Sequence, residues 1–179
     1  MTKNNGQWMD QVEIDLKKLK VRKMQEYTAK LRAEDGTVFA QHLSLVVSEC
    51  PEEWGPPDKA ETYEKLSFQD IVLPIYGKYL EMKTEVSQEL IEGVEIDLSV
   101  FNAREFSDMQ KAITAADIDS MIPILMRCVT KLPAGMGKPD KEATYLNMEH
   151  FTQFLRIANM VAREGNDLMQ NFLKRYTGR

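Results

Sequence analysis

Histidine and cysteine are both scarce here, two of each in 179 residues, and no apolar run approaches the roughly 18 residues that a membrane span needs. With only His42, His150, Cys50 and Cys128 available, no cysteine–histidine cluster has zinc-ligand spacing. Two cysteines are also too few for a disulfide framework. Both are expected to be reduced, small, buried apolar side chains. Met1-Thr2-Lys3-Asn4-Asn5-Gly6 lacks the apolar segment of a secretory signal, so a cytoplasmic protein is expected. No nucleophile sits in a recognisable serine or cysteine motif. Gly135-Met136-Gly137-Lys138 resembles the end of a phosphate-binding loop but lacks its glycine spacing. Pro139 stands where Ser or Thr would meet magnesium, and no strand leads in. These absences argue against an enzyme and against a cofactor or metal. A net charge of −5 argues against nucleic acid as the main partner.

What the sequence does contain is a repeat. Val12-Glu13-Ile14-Asp15-Leu16 returns as Val94-Glu95-Ile96-Asp97-Leu98, an offset of 82 residues. At that offset Pro57-Asp58-Lys59 falls on Pro139-Asp140-Lys141, Thr62-Tyr63 on Thr144-Tyr145, and Leu73 and Ile75 on Leu155 and Ile157. One fixed offset joining a strand, a loop and two helices predicts an internal duplication. The expected organisation is a flexible lead-in over 1–11, a first unit over 12–93 and a second over 94–179. The first unit holds 11 Lys and Arg against 16 Asp and Glu, the second 11 against 11, so their surfaces differ.

The fold class expected is mainly α: two tandem helical units, each opened by one short strand. Val12, Ile14 and Leu16 alternate with acids, the period of a half-buried strand. The segments 12–16 and 94–98 are the only clear strands, and so short a pair is expected to join with each other or with another chain. Leu19 to Arg32 places Met24, Tyr27 and Leu31 on one helical face, stopped by Gly36. Thr37 is expected to cap an apolar helix carrying His42, Leu43, Val46 and Val47. Asp119 or Ser120 caps its counterpart, with Pro123 in the first turn and Cys128 and Val129 near its end. Asp58 and Glu61 form a capping-box signal before Tyr63, and Asp140 repeats the cap before Tyr145. Both rings are expected to pack over the preceding loop. Ser67 and Asp70 signal the start of a helix that Pro74 should bend or break about two turns in. Its counterpart, Met148 to Lys174, has no proline and should run straighter.

The polar constellations favour structural roles. His42 and His150 align with Ile124 and Phe68, which suggests core-edge histidines. Glu13, Asp15, Glu95 and Asp97 share one strand face, as a solvated edge would. Lys17, Lys18, Lys20, Arg22 and Lys23 form a basic cluster absent from the second unit, read as a solvated helix start or a docking patch for an acidic partner. Trp54, on a loop stiffened by Pro51, Pro56 and Pro57, is either an exposed anchor for a partner or a cap on the core under that loop. Met136 is its softer counterpart. Trp54, Pro56, Pro57 and Met136 are therefore the candidate partner-binding residues.

The succession over 38–90 resembles the tail assembly chaperones of long-tailed bacteriophages. It runs from an apolar helix ending Leu45-Val46-Val47-Ser48, through Pro51, Trp54 and Gly55-Pro56-Pro57-Asp58, to a helix through Tyr63 and Leu66 and a final amphipathic helix. Glu13-Ile14-Asp15-Leu16 before a helix is similar to the start of such proteins. The resemblance covers about half the chain, and the doubling of the unit departs from the family. It implies a small, mostly helical, non-enzymatic protein of the infected host's cytoplasm. Such a protein coats the tape-measure protein, recruits tail-tube subunits and often self-associates. A duplicated helical interaction or regulatory module that binds a peptide or helix is the alternative, and an enzyme with an unseen site is a third class.

Overall fold

The structure, a computed structural model, describes the chain except residues 1–7, 33–36, 116, 149 and 178–179, and the backbone alone of 31, 32, 103, 172, 176 and 177. It is mainly helical, with two small two-stranded sheets. Up to Ser87 the elements are β1 (Glu13–Ile14), α1 (Val21–Arg32), α2 (Val38–Val46), β2 (Val47–Glu49), α3 (Ala60–Glu64) and α4 (Leu73–Ser87). Then come β3 (Glu95–Ile96), α5 (Ala103–Thr114), α6 (Ile118–Cys128), β4 (Val129–Lys131), α7 (Glu142–Leu146) and α8 (Phe151–Thr177). Gly36 and the side chain of Leu31, expected to stop and line the first helix, lie outside the described residues.

The strands pair differently from the sequence expectation. β1 does not meet β3. It runs antiparallel to β2, and β3 runs antiparallel to β4. The apolar helices end one residue early, at Val46 and Cys128. Val47 and Val129 turn to extended backbone and start β2 and β4 with their side chains still buried. β-branched valine fits an extended, half-buried surface well. Asp15 N donates to Val46 O at 2.8 Å and Asp97 N to Cys128 O at 2.7 Å, which fastens each first strand to the end of its helix. Both aspartates then accept from the amide two residues on, at 2.9 Å each, and open the 3-10 turns Leu16–Lys18 and Leu98–Val100. That local capping is why these acids recur.

α2 and α6 form the buried centres. Val38, Leu43 and Val46 are sealed in one, and Ile118, Met121, Ile122 and Leu125 in the other. Their caps differ from those expected. Thr37 makes no capping bond with its side chain, its hydroxyl accepting instead from Gln41 Nε2 at 2.7 Å. α6 is capped by Asp117, which accepts from the Ser120 amide, and not by Asp119 or Ser120. The helix therefore starts earlier, and Pro123 sits inside it, where it removes one helical hydrogen bond.

The short helices also lack the predicted caps. Lys59 and Lys141, not Asp58 and Asp140, stand at the N-caps of α3 and α7, with no side-chain bond. Two hydroxyls hold each loop instead. Thr62 and Tyr63 donate to the carbonyls of Pro56 and Pro57 at 2.7 and 2.8 Å. Thr144 and Tyr145 donate to Lys138 and Pro139 at 2.7 and 3.0 Å. Both tyrosine rings are buried under their loops, as expected. Gly55 and Gly137, at φ 106° and 99°, supply the left-handed residue each loop requires.

Ser67 caps through Asp70 as predicted, but the cap opens a π-helical turn, Phe68–Val72, rather than an α-helix. The π-helical turn runs on into α4 through helical dihedrals at Val72 and Leu73, so Pro74 lies about two turns past Ser67, as expected, and the irregularity is the wider turn just before it. α8 runs 27 residues without interruption, starting at Phe151 rather than Met148. Its first turns bury Phe151, Phe154, Ile157, Ala158 and Val161. Gly165 fits against Phe106 and Met109 of α5, and a β-carbon there would lie only 3.1 Å from the Phe106 ring. Beyond Gly165 every described side chain to Arg175 is exposed.

The halves of the chain pack together. α4 lies along α8, where Arg156 Nε and Asn159 Nδ2 donate to the Val86 and Ser87 carbonyls at 3.0 Å each. Leu19 O accepts from Phe151 N at 2.8 Å. No described helix is long and apolar enough to cross a membrane.

Candidate interaction surface

Trp54 ends the 3-10 turn Glu52–Trp54 and is half-buried. Its ring centroid lies 5.4 Å from that of Trp8 at a tilt of 53°. Residues 8–11 of the lead-in are therefore built into the fold. Trp8 packs onto the first loop, and Met9–Gln11 form a 3-10 turn that brings it there. Among the candidate residues, Pro56 is exposed, while Pro57 and Met136 are half-buried on their respective loops. The Trp54 ring thus shares its surface with a second indole and does not stand alone. The signal that could have revealed this is simple: Trp8 and Trp54 are the only tryptophans in the chain.

The remaining polar candidates have structural occupations. His42 is fully buried, not at a core edge, and stands among the rings of Tyr27, Tyr76 and Tyr79. Burial, with a smaller contribution from the Lys83 charge, pushes its pKa down to about 3, so the ring is neutral at physiological pH. Burial likewise raises the Tyr27 and Tyr79 hydroxyls and pushes Cys128 up to about 12, which leaves that thiol unreactive. Cys50 is only half-buried, not sealed as expected; burial and the Glu53 charge raise its thiol, and its sulfur lies 3.4 Å from the Gly55 carbonyl. His150 meets Lys17 O through Nδ1 at 3.0 Å. In the basic cluster Lys23 pairs with Glu26 at 3.0 Å and Lys18 Nζ reaches Val47 O at 3.5 Å, while Arg22 and Lys17 are exposed. No group of three or more metal-ligating side chains converges among the described residues.

Two exposed apolar areas stand out against this background. Phe68 and Leu73 flank the π-helical turn, with Phe39 edge-on to Phe68 at 5.5 Å. Leu168, Met169 and Leu173 project from the last turns of α8, beyond the point where α5 supports it. Met169 and Leu173 are one turn apart on the same helical face, with Leu168 beside them. A cleft of about 540 Å³ opens where the end of α4 meets α8. Arg156 and Asn159 line it while bonding the end of α4, Arg156 also pairs with Glu89, and Leu90 stands exposed at its edge. Periodicity predicted the helices that carry these side chains but not which faces stay uncovered. Comparison with protein-family models, curated proteins and solved structures gives no match.

Proposed function

We propose that this chain is a non-enzymatic binding protein built from two tandem copies of one helical unit, and that it serves as a tail assembly chaperone of a long-tailed phage in the host cytoplasm. Its partners on this reading are the tape-measure protein and tail-tube subunits. The observation that carries the binding role is the exposed apolar set Leu168, Met169 and Leu173 in the last turns of α8, past the contact of Gly165 with α5. An apolar helical row of this kind suits a partner helix laid against it, with anchors at helical spacing. Met169 brings an adaptable thioether suited to varied contacts. Trp54, Pro56, Pro57 and Met136 add the loop contacts, and the acidic first copy supplies selectivity that the neutral second copy lacks.

The experiment is co-expression with a tape-measure protein. The soluble fraction of that protein should rise several-fold with the wild-type chain. It should fall back with a Leu168→Asp, Leu173→Asp double variant whose melting temperature matches the parent. An unchanged soluble fraction with the wild-type chain sinks the tape-measure reading. The alternative, a duplicated module for a peptide or helix, then predicts saturable binding of one short amphipathic helix to the same row.

A further inference from the structure

At the 82-residue offset the groove between α1 and α2 corresponds to the groove between α5 and α6, and the two are filled differently. In the first half Lys30 reaches from α1 across to α2, where its Nζ donates to Gln41 Oε1 at 2.7 Å. The cleft that remains there, with Lys30 in its wall, holds about 150 Å³. In the second half Ala112 and Pro123 stand in place of Lys30 and Gln41. Neither side chain can span the gap, and the cleft opens to about 620 Å³. The acid beside the lysine is kept, since Glu26 corresponds to Asp108.

The open groove has a chemistry that fits what it lacks. Ala112, Pro123 and Ile124 give it an apolar floor. Asp108, Asp117 and Asp119 stand around that floor, with Lys111 as the one cation of the described lining. A lysine or arginine side chain matches such a place, because its apolar stem covers the floor while its charged head stays at the wet rim. Beyond Asp119 and Pro123 a second cleft, of about 490 Å³, adjoins the first and is lined by Ile122 and Met126, with Glu142 of α7 at its border. Arg127, also at this cleft, is held by Glu105 at 2.8 Å. The two clefts share Asp119 and Pro123, so a segment laid across α6 meets both.

We propose that the α5–α6 groove is a docking site for a basic amphipathic helix of a partner protein, one lysine or arginine of which takes the place that Lys30 fills in the first half. The correspondence rests on the two-copy reading above, but the site is separate from the α8 end and from the Trp54 loop. The second half carries no net charge, so the acidity that selects a basic partner is local to this groove. The first half offers no second site of the same kind, because its own lysine already lies there.

Anisotropy of a fluorescein-labelled leucine–lysine amphipathic helix, titrated with the full chain, tests this. The peptide should bind saturably, and the same peptide with glutamate for lysine should not. Asp108→Lys should weaken binding by about tenfold or more, since it sets a like charge against the incoming one. Its melting temperature should match the parent's, because Asp108 and its partner Lys111 are both exposed. Ala112→Lys, which rebuilds the first-half arrangement, should block the groove, and Asp108→Lys carries the test alone should that variant fold poorly. The Leu168→Asp, Leu173→Asp double variant should bind the peptide as the wild type does. Absence of saturable binding overturns the proposal, as does equal binding of the glutamate peptide or unchanged binding by Asp108→Lys. Loss in the α8 double variant alone places the peptide on α8 and overturns it too. Displacement by butylamine as readily as by unlabelled peptide would assign the groove to a small amine. An affinity that falls as protein concentration rises would assign it to a second copy, and either result overturns the partner helix. No tape-measure protein enters this measurement, so its failure leaves the chaperone reading standing, and failure of co-expression leaves this groove standing.

Discussion

The rings of His42 and Tyr79 lie 4.4 Å apart, close to perpendicular, with Tyr27 equally near on another side and no hydrogen-bond partner for either histidine nitrogen among the described residues. A fully buried imidazole with two unsatisfied nitrogens costs the fold something on the order of 1–3 kcal/mol. The same position in the second half is Ile124.

His42→Ile should accordingly stabilise the protein at neutral pH by about 1–2 kcal/mol. It should also change the pH dependence. The folded-state pKa, pushed down to about 3, lies below the unfolded value near 6.5, so the unfolded chain binds the extra proton first. Stability associated with the neutral ring is complete above pH 6.5 and is lost as pH falls toward 3. Urea unfolding at pH 7, 6 and 5 should show a parent that weakens relative to His42→Ile at each step. Parallel curves would mean that the ring is not shielded as described.

The two sheets differ at one cross-strand pair. Glu13 faces Glu49 in the first, while Glu95 faces Lys131 in the second, with Nζ 2.5 Å from the carboxylate. Glu49→Lys should replace a repulsion with an attraction and raise stability by roughly 0.2–1 kcal/mol, read as a higher melting temperature. The gain should shrink in high salt, because both positions face solvent. A lower melting temperature would contradict the register.

Tyr63→Phe and Tyr145→Phe each remove a hydroxyl that closes a loop onto a proline carbonyl. Each is expected to cost about 0.5–1.5 kcal/mol, with the ring still filling its site. Limited proteolysis should then cut first in 51–58 or 133–140 respectively. Variants as resistant as the parent would show that the loops are held by other means.

Trp54→Ala tests whether the indole pair is a partner anchor or a brace. With Trp8 against it, Trp54 should yield a red-shifted emission from the remaining tryptophan when replaced, as Trp8 loses its cover. Weaker partner capture at an unchanged melting temperature would assign the pair to binding. A fall in melting temperature with normal capture by the folded remainder would assign it to the core.

Helix positions and the buried faces of α2 and α6 were readable from periodicity, as was the packing of Tyr63 and Tyr145 over their loops. β2 and β4 were not. Val47 and Val129 satisfy the helical spacing from Leu43 and Leu125 as well as they satisfy a strand. The backbone switch is decided by β1 and β3, which arrive from more than thirty residues away. Caps failed for a related reason: candidate capping residues crowd the helix starts, and a two-residue shift chooses Asp117 over Asp119. Of the surface, the candidates on the loops were visible as residue types. The exposed row on α8 was not, because an amphipathic pattern cannot say where its supporting neighbour ends. The His42 box also needed the fold, since its rings come from α1 and α4.

Because each strand pairs within its own half, connectivity sets the order in which the chain acquires structure. The contacts of β1 with β2 and of β3 with β4 each close within one half of the chain, over a much shorter span than the link between the halves, and form earlier. The link from the Leu19 carbonyl to the Phe151 amide spans most of the sequence and must come last. On a ribosome the first half can close its sheet while α8 is still unmade, and until then Leu19 has no cover. Pulse-labelling hydrogen exchange during refolding should protect the Asp15 and Asp97 amides before that of Phe151.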